Sequence, residues 1–278
     1  MHGRKQPQIR WLVRKLATMG AFAHVLDIGG GRGDLAVLIA QTFPHTLVTV
    51  VDANVSSLRQ GKAFAKRCGE DVYRRIRFVC ARFEANFSFD GVHILSDADL
   101  QEPEPEQGQE HSSTIEKTEQ SIHTTSTEIA STGAALVPAM DVVVALHACG
   151  GLSDLALHYA ATQPCRFLVC PCCYLKTPYC MPTSASAPIV PLTVESAPSE
   201  IEYTERLALL RLAESDNRAC SSRASLIINS QRLNALESIL QDEKYEEGSG
   251  IRSSWQVQLS EFPKEYSLRN LVLSSTLV

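Results

Sequence analysis

A chain of 278 residues that is 44% hydrophobic can bury a full-sized core, and no apolar run in it is long enough to cross a bilayer. Its formal charge of -5 hides an asymmetry: residues 88–137 hold ten Asp or Glu against the single Lys117, and the remainder is basic by +4, which permits a polyanionic partner without requiring one. Nine cysteines, several of them bunched, exclude the spaced, even-numbered set of a secreted disulfide framework, so reduced thiols and a cytoplasmic location are expected.

Residues 1–19 carry Arg4, Lys5, Arg10, Arg14 and Lys15 with no acid and no apolar leader segment, and Ile9, Leu12, Val13 and Leu16 fall at helical spacing. The opening element is therefore an amphipathic helix with a basic outer face. "HVLDIGG" reads as a buried strand, "DLAVLIAQTF" as a helix and "TLVTVVDAN" as the next strand, which together make a βαβ unit. "VSSLRQGKAFAKRC" is a second helix, "IRFVCARFE" a third strand, "MDVVVALHACG" a fourth, "LSDLALHYAAT" a helix and "CRFLVCPCC" a fifth strand. Helices follow at about 203–214 and 231–242, and "WQVQLSEF" and "RNLVLSST" close the chain as two strands. Such alternation predicts a single domain over 1–278, an α/β fold with a mainly parallel seven-stranded sheet and helices on both faces. Two stretches interrupt it. Residues 88–137 are acidic and rich in Ser and Thr, a composition that predicts a disordered insertion. Residues 178–200 form a Pro- and Ser-rich loop directly after the cysteine-bearing strand, placed to cover a site.

The strongest chemical signal is Asp27-Ile-Gly29-Gly-Gly31-Arg-Gly33, between the first strand and its helix. Glycines suit a loop that turns tightly and approaches a ligand closely. A nicotinamide dinucleotide loop of the form G-x-G-x-x-G would need glycine where Asp34 stands, and that carboxylate would repel a pyrophosphate. Asp52, at the end of the second strand, can accept both ribose hydroxyls of a nucleoside. The spacing resembles motif I of the Rossmann-like S-adenosylmethionine (SAM) methyltransferases. That resemblance implies SAM as cofactor, with Asp27, Gly29, Gly31 and Gly33 around its amino acid end and Asp52 on its ribose. By the same resemblance, Arg82 and Phe83 are the candidates for the adenine contact, where an acid or amide is more usual.

"DVVVALHACGGLSDLAL" followed by "FLVCPCCY" resembles the methyltransferase domain of the glutathione S-transferase C-terminal domain-containing proteins. "RKQPQIRWLV", "INSQRLNALE" and "YSLRNLVLSS" echo the same domain, so the likeness spans nearly the whole chain outside the two interruptions. A looser likeness, a His-Cys-Gly pattern after the fourth strand and paired cysteines after the fifth, extends to tRNA ribose methyltransferases. Nothing in the sequence supports glutathione chemistry. These resemblances imply a SAM-dependent methyltransferase; the family likeness leaves its acceptor open, and the looser likeness with the basic N-terminal helix favours RNA.

In such a sheet the fourth and fifth strands are neighbours, so His147 and Cys149 should meet Cys172, Cys173 and Tyr174 beside the donor methyl. His147 is the candidate proton acceptor, Cys149 and Cys172 shape the pocket, and Tyr174 completes it. A core histidine donating to a carbonyl is the alternative for His147. Zinc draws on the same residue types, but C-x-C-C is not the usual C-x-x-C knuckle, and Cys170 should alternate away from its neighbours, so no metal is expected. A redox pair lacks its C-x-x-C before a helix. The rival from another class is a non-catalytic Rossmann-like module that keeps the nucleoside pocket.

Overall fold

The computed structural model describes residues 5–100, 140–163, 165–184, 186–242 and 255–277. Its elements run α1 (Lys5–Ala17), β1 (His24–Ile28), α2 (Asp34–Thr42), β2 (Leu47–Asp52), α3 (Val55–Cys68), α4 (Glu70–Arg74), β3 (Ile76–Cys80) and β4 (His93–Ile94). After a short 3-10 turn come β5 (Val142–Ala148), α5 (Gly151–Thr162), β6 (Arg166–Pro171), β7 (Tyr179–Cys180), β8 (Val190–Pro191), α6 (Glu200–Ala213), α7 (Arg218–Asp242), β9 (Trp255–Glu261) and β10 (Leu271–Leu277).

The main sheet has the order β4-β3-β2-β1-β5-β6-β10-β9, with the five strands from β3 to β6 parallel. β10 runs antiparallel between β6 and β9. Alternation along the strands divides the core. Val25, Val48, Val50, Phe78, Val144 and Leu168 face α1, α2 and α3, whereas Leu26, Ile28, Val51, Val143, Phe167 and Val169 face α5 and α7. Central strands covered on both faces explain the nearly continuous apolar runs in the sequence. The fold is the doubly wound, mainly parallel α/β architecture expected, with helices on both faces.

Three details differ from expectation. The sheet has eight strands rather than seven, because two residues of the acidic segment pair with the edge of β3 as β4. That part of the segment is anchored: Leu95 is buried, and its carbonyl accepts from the Lys62 ammonium at 2.8 Å, with Asp97 at 3.3 Å from the same nitrogen. Residues 101–137, the rest of the predicted insertion, lie outside the described residues. Finally, α7 begins at Arg218 rather than near 231, because the Asn217 side chain accepts from the amides of Ala219 and Cys220 and starts the helix early. No helix among the described residues is long and apolar enough to cross a membrane.

Candidate functional site

β1 is flanked by β2 on one side and β5 on the other, so the chain reverses its direction of travel across the sheet at this point. Crevices outside the carboxyl ends of parallel strands form at such reversals. A cavity of about 310 Å³ occupies this one, walled by Gly29 after β1, Asp52 at the end of β2, Arg82 and Phe83 after β3, and Cys149 and Leu152 after β5.

The glycine loop turns through left-handed backbone at Gly29, Gly31 and Gly33. A Cβ at Gly30 would lie 2.5 Å from Asp27 Oδ2, so the loop closes over that carboxyl only because the position is bare. Asp27 is buried, its Oδ2 has no hydrogen-bond partner among the described residues, and burial pushes its pKa up to about 7. Asp52 is held in place from both sides, with Oδ2 accepting from the Gly31 amide at 3.0 Å and Oδ1 from the Asn54 amide at 2.8 Å. Phe83 is buried and stacked on Phe87 with ring centroids 4.5 Å apart, which presents an apolar wall opposite the acid. A bare loop, an unpartnered buried carboxyl, a fixed strand-end carboxylate and an aromatic wall fit the amino acid, ribose and adenine parts of SAM.

The thiols answer to a different geometry. The Gly150 amide donates to the Cys173 carbonyl at 2.6 Å and the Gly151 amide to the Lys176 carbonyl at 2.9 Å, lashing the chain after β6 across the start of α5. A Cβ at Gly150, where φ is 61°, would stand 1.5 Å from the Lys176 oxygen. This contact brings Cys149, Cys172 and Cys173 together, with sulfur separations of 3.1 Å (149–172), 3.5 Å (149–173) and 3.6 Å (172–173). The thiol contacts pull the Cys149 pKa down to about 6, led by Cys172, and the same contact raises Cys172. Cys170 stands apart with its thiol 3.9 Å from the Arg269 carbonyl, as strand alternation predicted.

Two residues lie elsewhere than expected. Tyr174 does not reach the cavity: its side chain is buried, its hydroxyl accepts from Asn229 Nδ2 at 3.0 Å, and Arg232 and Arg269 each sit 5.6 Å from its ring. The strand ends at Pro171, so Tyr174 follows an irregular turn that carries it under α6 and α7 instead of along the strand-end line. His147 sits at a bulge between Leu146 and Ala148 in left-handed backbone and is not part of the cavity wall. Burial, and then the Lys5 ammonium, hold its pKa below the ordinary histidine value, so the ring is neutral near pH 7.

Sequence reasoning missed Lys5, whose ammonium is 3.5 Å from Asp34 at the start of α2 and whose field reaches both Asp27 and His147. No local pattern signals a pair that joins separate helices. Lys176, Thr177 and Tyr179 also line the cavity. The proline- and serine-rich composition of the following loop hinted at a cover without singling them out.

A family model described as a methyltransferase domain matches residues 5–177. The chain belongs to this methyltransferase family, and its methyl donor is S-adenosylmethionine. Among solved structures, the methyltransferase domain of bacterial CtHen1-C is 11% identical, with 99% of each chain covered and a TM-score of 0.46. The S-adenosylmethionine-dependent methyltransferase SibL in its apo form is 14% identical with a TM-score of 0.43, covering 100% of this chain and 56% of its own. The plantazolicin methyltransferase BpumL in complex with SAH is 10% identical with a TM-score of 0.37, covering 98% of this chain and 82% of its own. Likeness at this level says nothing of the acceptor. No curated protein matches the chain.

Proposed function

We propose that the chain methylates RNA. The observation that carries this reading is the acid-free basic helix α1: Arg10 and Arg14 are exposed on it, and Lys5 at its start reaches Asp34, the residue after the glycine loop. Cations so placed suit phosphate contacts that position a polynucleotide. The looser resemblance to tRNA ribose methyltransferases supports the same acceptor class.

When bound, SAM supplies an electrophilic methyl group on a sulfonium. Asp27 would accept from the ammonium of its amino acid end, Asp52 from its ribose hydroxyls, and Phe83 with Arg82 would flank its adenine. Leu152 and Phe83 exclude water from the apolar side. Methyl transfer needs chiefly alignment and desolvation, and a base only where the acceptor sheds a proton.

A small-molecule acceptor is the second reading. It is favoured by a neighbouring cavity of about 320 Å³ between α6, α7 and the loop after β6, which shares Tyr179 with the donor cavity. Methyl transfer from radiolabelled SAM to fractionated RNA, protein and small molecules decides between the two. Label in RNA that diminishes in an Arg10→Glu, Arg14→Glu variant supports the first reading, and label confined to small molecules overturns it.

A further inference from the structure

The three thiols beside the donor cavity have a geometry the methyl transfer reading does not use. We propose that Cys149, Cys172 and Cys173 form a three-thiolate site for a zinc-class divalent cation, with one coordination position left open beside the donor cavity. The inference stands whatever the methyl acceptor is.

The distances carry it. A tetrahedral ion with metal–sulfur bonds of about 2.3 Å sets its sulfurs roughly 3.8 Å apart. The three separations here are 3.1, 3.5 and 3.6 Å, so outward shifts of a few tenths of an ångström open the cluster to that size. Adjacent cysteines on a strand would point to opposite faces, which argues against Cys172 and Cys173 sharing an ion. That objection lapses because β6 ends at Pro171 and both residues lie in irregular backbone. The ligands are also fixed in advance, since the Gly150 amide holds the Cys173 carbonyl and bare backbone at Gly150 and Gly151 lets the two segments touch.

Charge agrees with an anionic cluster. Three thiolates around a divalent ion leave a net charge of -1, and the Lys176 ammonium acts on Cys149 in the direction that favours thiolate. Glu214 acts in the opposite direction, but its carboxylate is engaged by the Tyr174 amide and by Arg269, the latter at 3.1 Å. No other His, Cys, Asp or Glu joins the three among the described residues. Closed structural zinc sites take four protein ligands, whereas three leave a place for a water or a substrate atom. Cys149 both belongs to the cluster and lines the donor cavity, so the open position borders the place where methyl transfer would occur. On binding, the thiols release the protons they carry to solvent and no electron is transferred.

The test is cobalt and zinc titration of the reduced, metal-free full chain. One Co²⁺ per chain should bind with a thiolate charge-transfer band and tetrahedral d–d bands. Cys149→Ser or Cys172→Ser should weaken binding by at least about 100-fold, and the exposed Cys220→Ser should not. If a variant misfolds, alkylation of the unaltered chain provides the readout: Zn²⁺ should protect Cys149, Cys172 and Cys173 and leave Cys220 reactive. The proposal is overturned by absence of uptake at micromolar metal, by uptake that Cys149→Ser leaves intact, or by equal alkylation of the three thiols with and without Zn²⁺.

Discussion

Replacing Asp27 with Asn tests whether the buried carboxyl under the glycine loop behaves as its surroundings require. Its pKa rises from an ordinary 3.8 to about 7, chiefly because burial penalises the charged form. The folded chain then holds a proton that the unfolded chain releases between those values, so this group lowers stability as pH rises from about 4 to 7 and no further above that. At about 1.4 kcal/mol per pH unit, the burden approaches roughly 4 kcal/mol at pH 8 and is under half of that at pH 5. Asn has nearly the same shape and does not ionise. Relative to the unaltered chain, Asp27→Asn should therefore gain about 2–3 kcal/mol between pH 5 and pH 8 in urea unfolding. The slope is the observable. A buried amide adds its own offset, but that offset does not depend on pH, and every other titrating group cancels in the comparison. Saturating SAM should flatten the slope in the unaltered chain, because an ammonium beside Asp27 restores its ionised form. A stability difference that stays level from pH 5 to pH 8 would refute the account of the carboxyl as desolvated.

Asp52→Ala removes the fixed strand-end acid; with two charged hydrogen bonds to the ribose hydroxyls worth about 1.5–3 kcal/mol each, calorimetry should find SAM binding weaker by at least about 150-fold, and an affinity within threefold of the original would count against the ribose role. Gly150→Ala places a methyl against the Lys176 oxygen and should cost more than about 2 kcal/mol on unfolding. Gly69→Ala, where φ is also positive but nothing lies within 4 Å, supplies the comparison, and equal costs for the two would mean that the close approach contributes nothing. Arg232 Nε lies 2.7 Å from Asp154 Oδ1 with both side chains buried, so Arg232→Ala should destabilise by about 3–5 kcal/mol. Pairing Arg232→Met with Asp154→Leu should recover most of that loss in thermal unfolding, unless the ion pair is not what the single change breaks.

Most of the sheet was legible because β1, β2, β5 and β6 are buried on both faces, and such strands must be apolar at successive positions whatever the rest of the chain does. Asp52 and the glycine loop were legible for a related reason. Each sits at the end of a readable strand, so element order alone placed them beside the cavity. The same extrapolation failed at Tyr174. It counted onward from the strand as though the direction persisted, while the turn after Pro171 follows the hydrogen bonds from Gly150 and Gly151 and drives the tyrosine under α7. Gly150 and Gly151 held the missing information. Two consecutive glycines opening a helix are poor helix formers, and their position requires that another backbone lie where their side chains would be. What the pattern could not supply was the identity of that second backbone, because a contact between residues 150 and 176 leaves no periodic trace in either segment. Lys5 poses the same problem from the opposite end of the chain. Its contact with Asp34 and its field at His147 exist only once α1 has packed its apolar stripe of Ile9, Leu12, Val13 and Leu16 into the core, so its bearing on the site follows from packing rather than from motif.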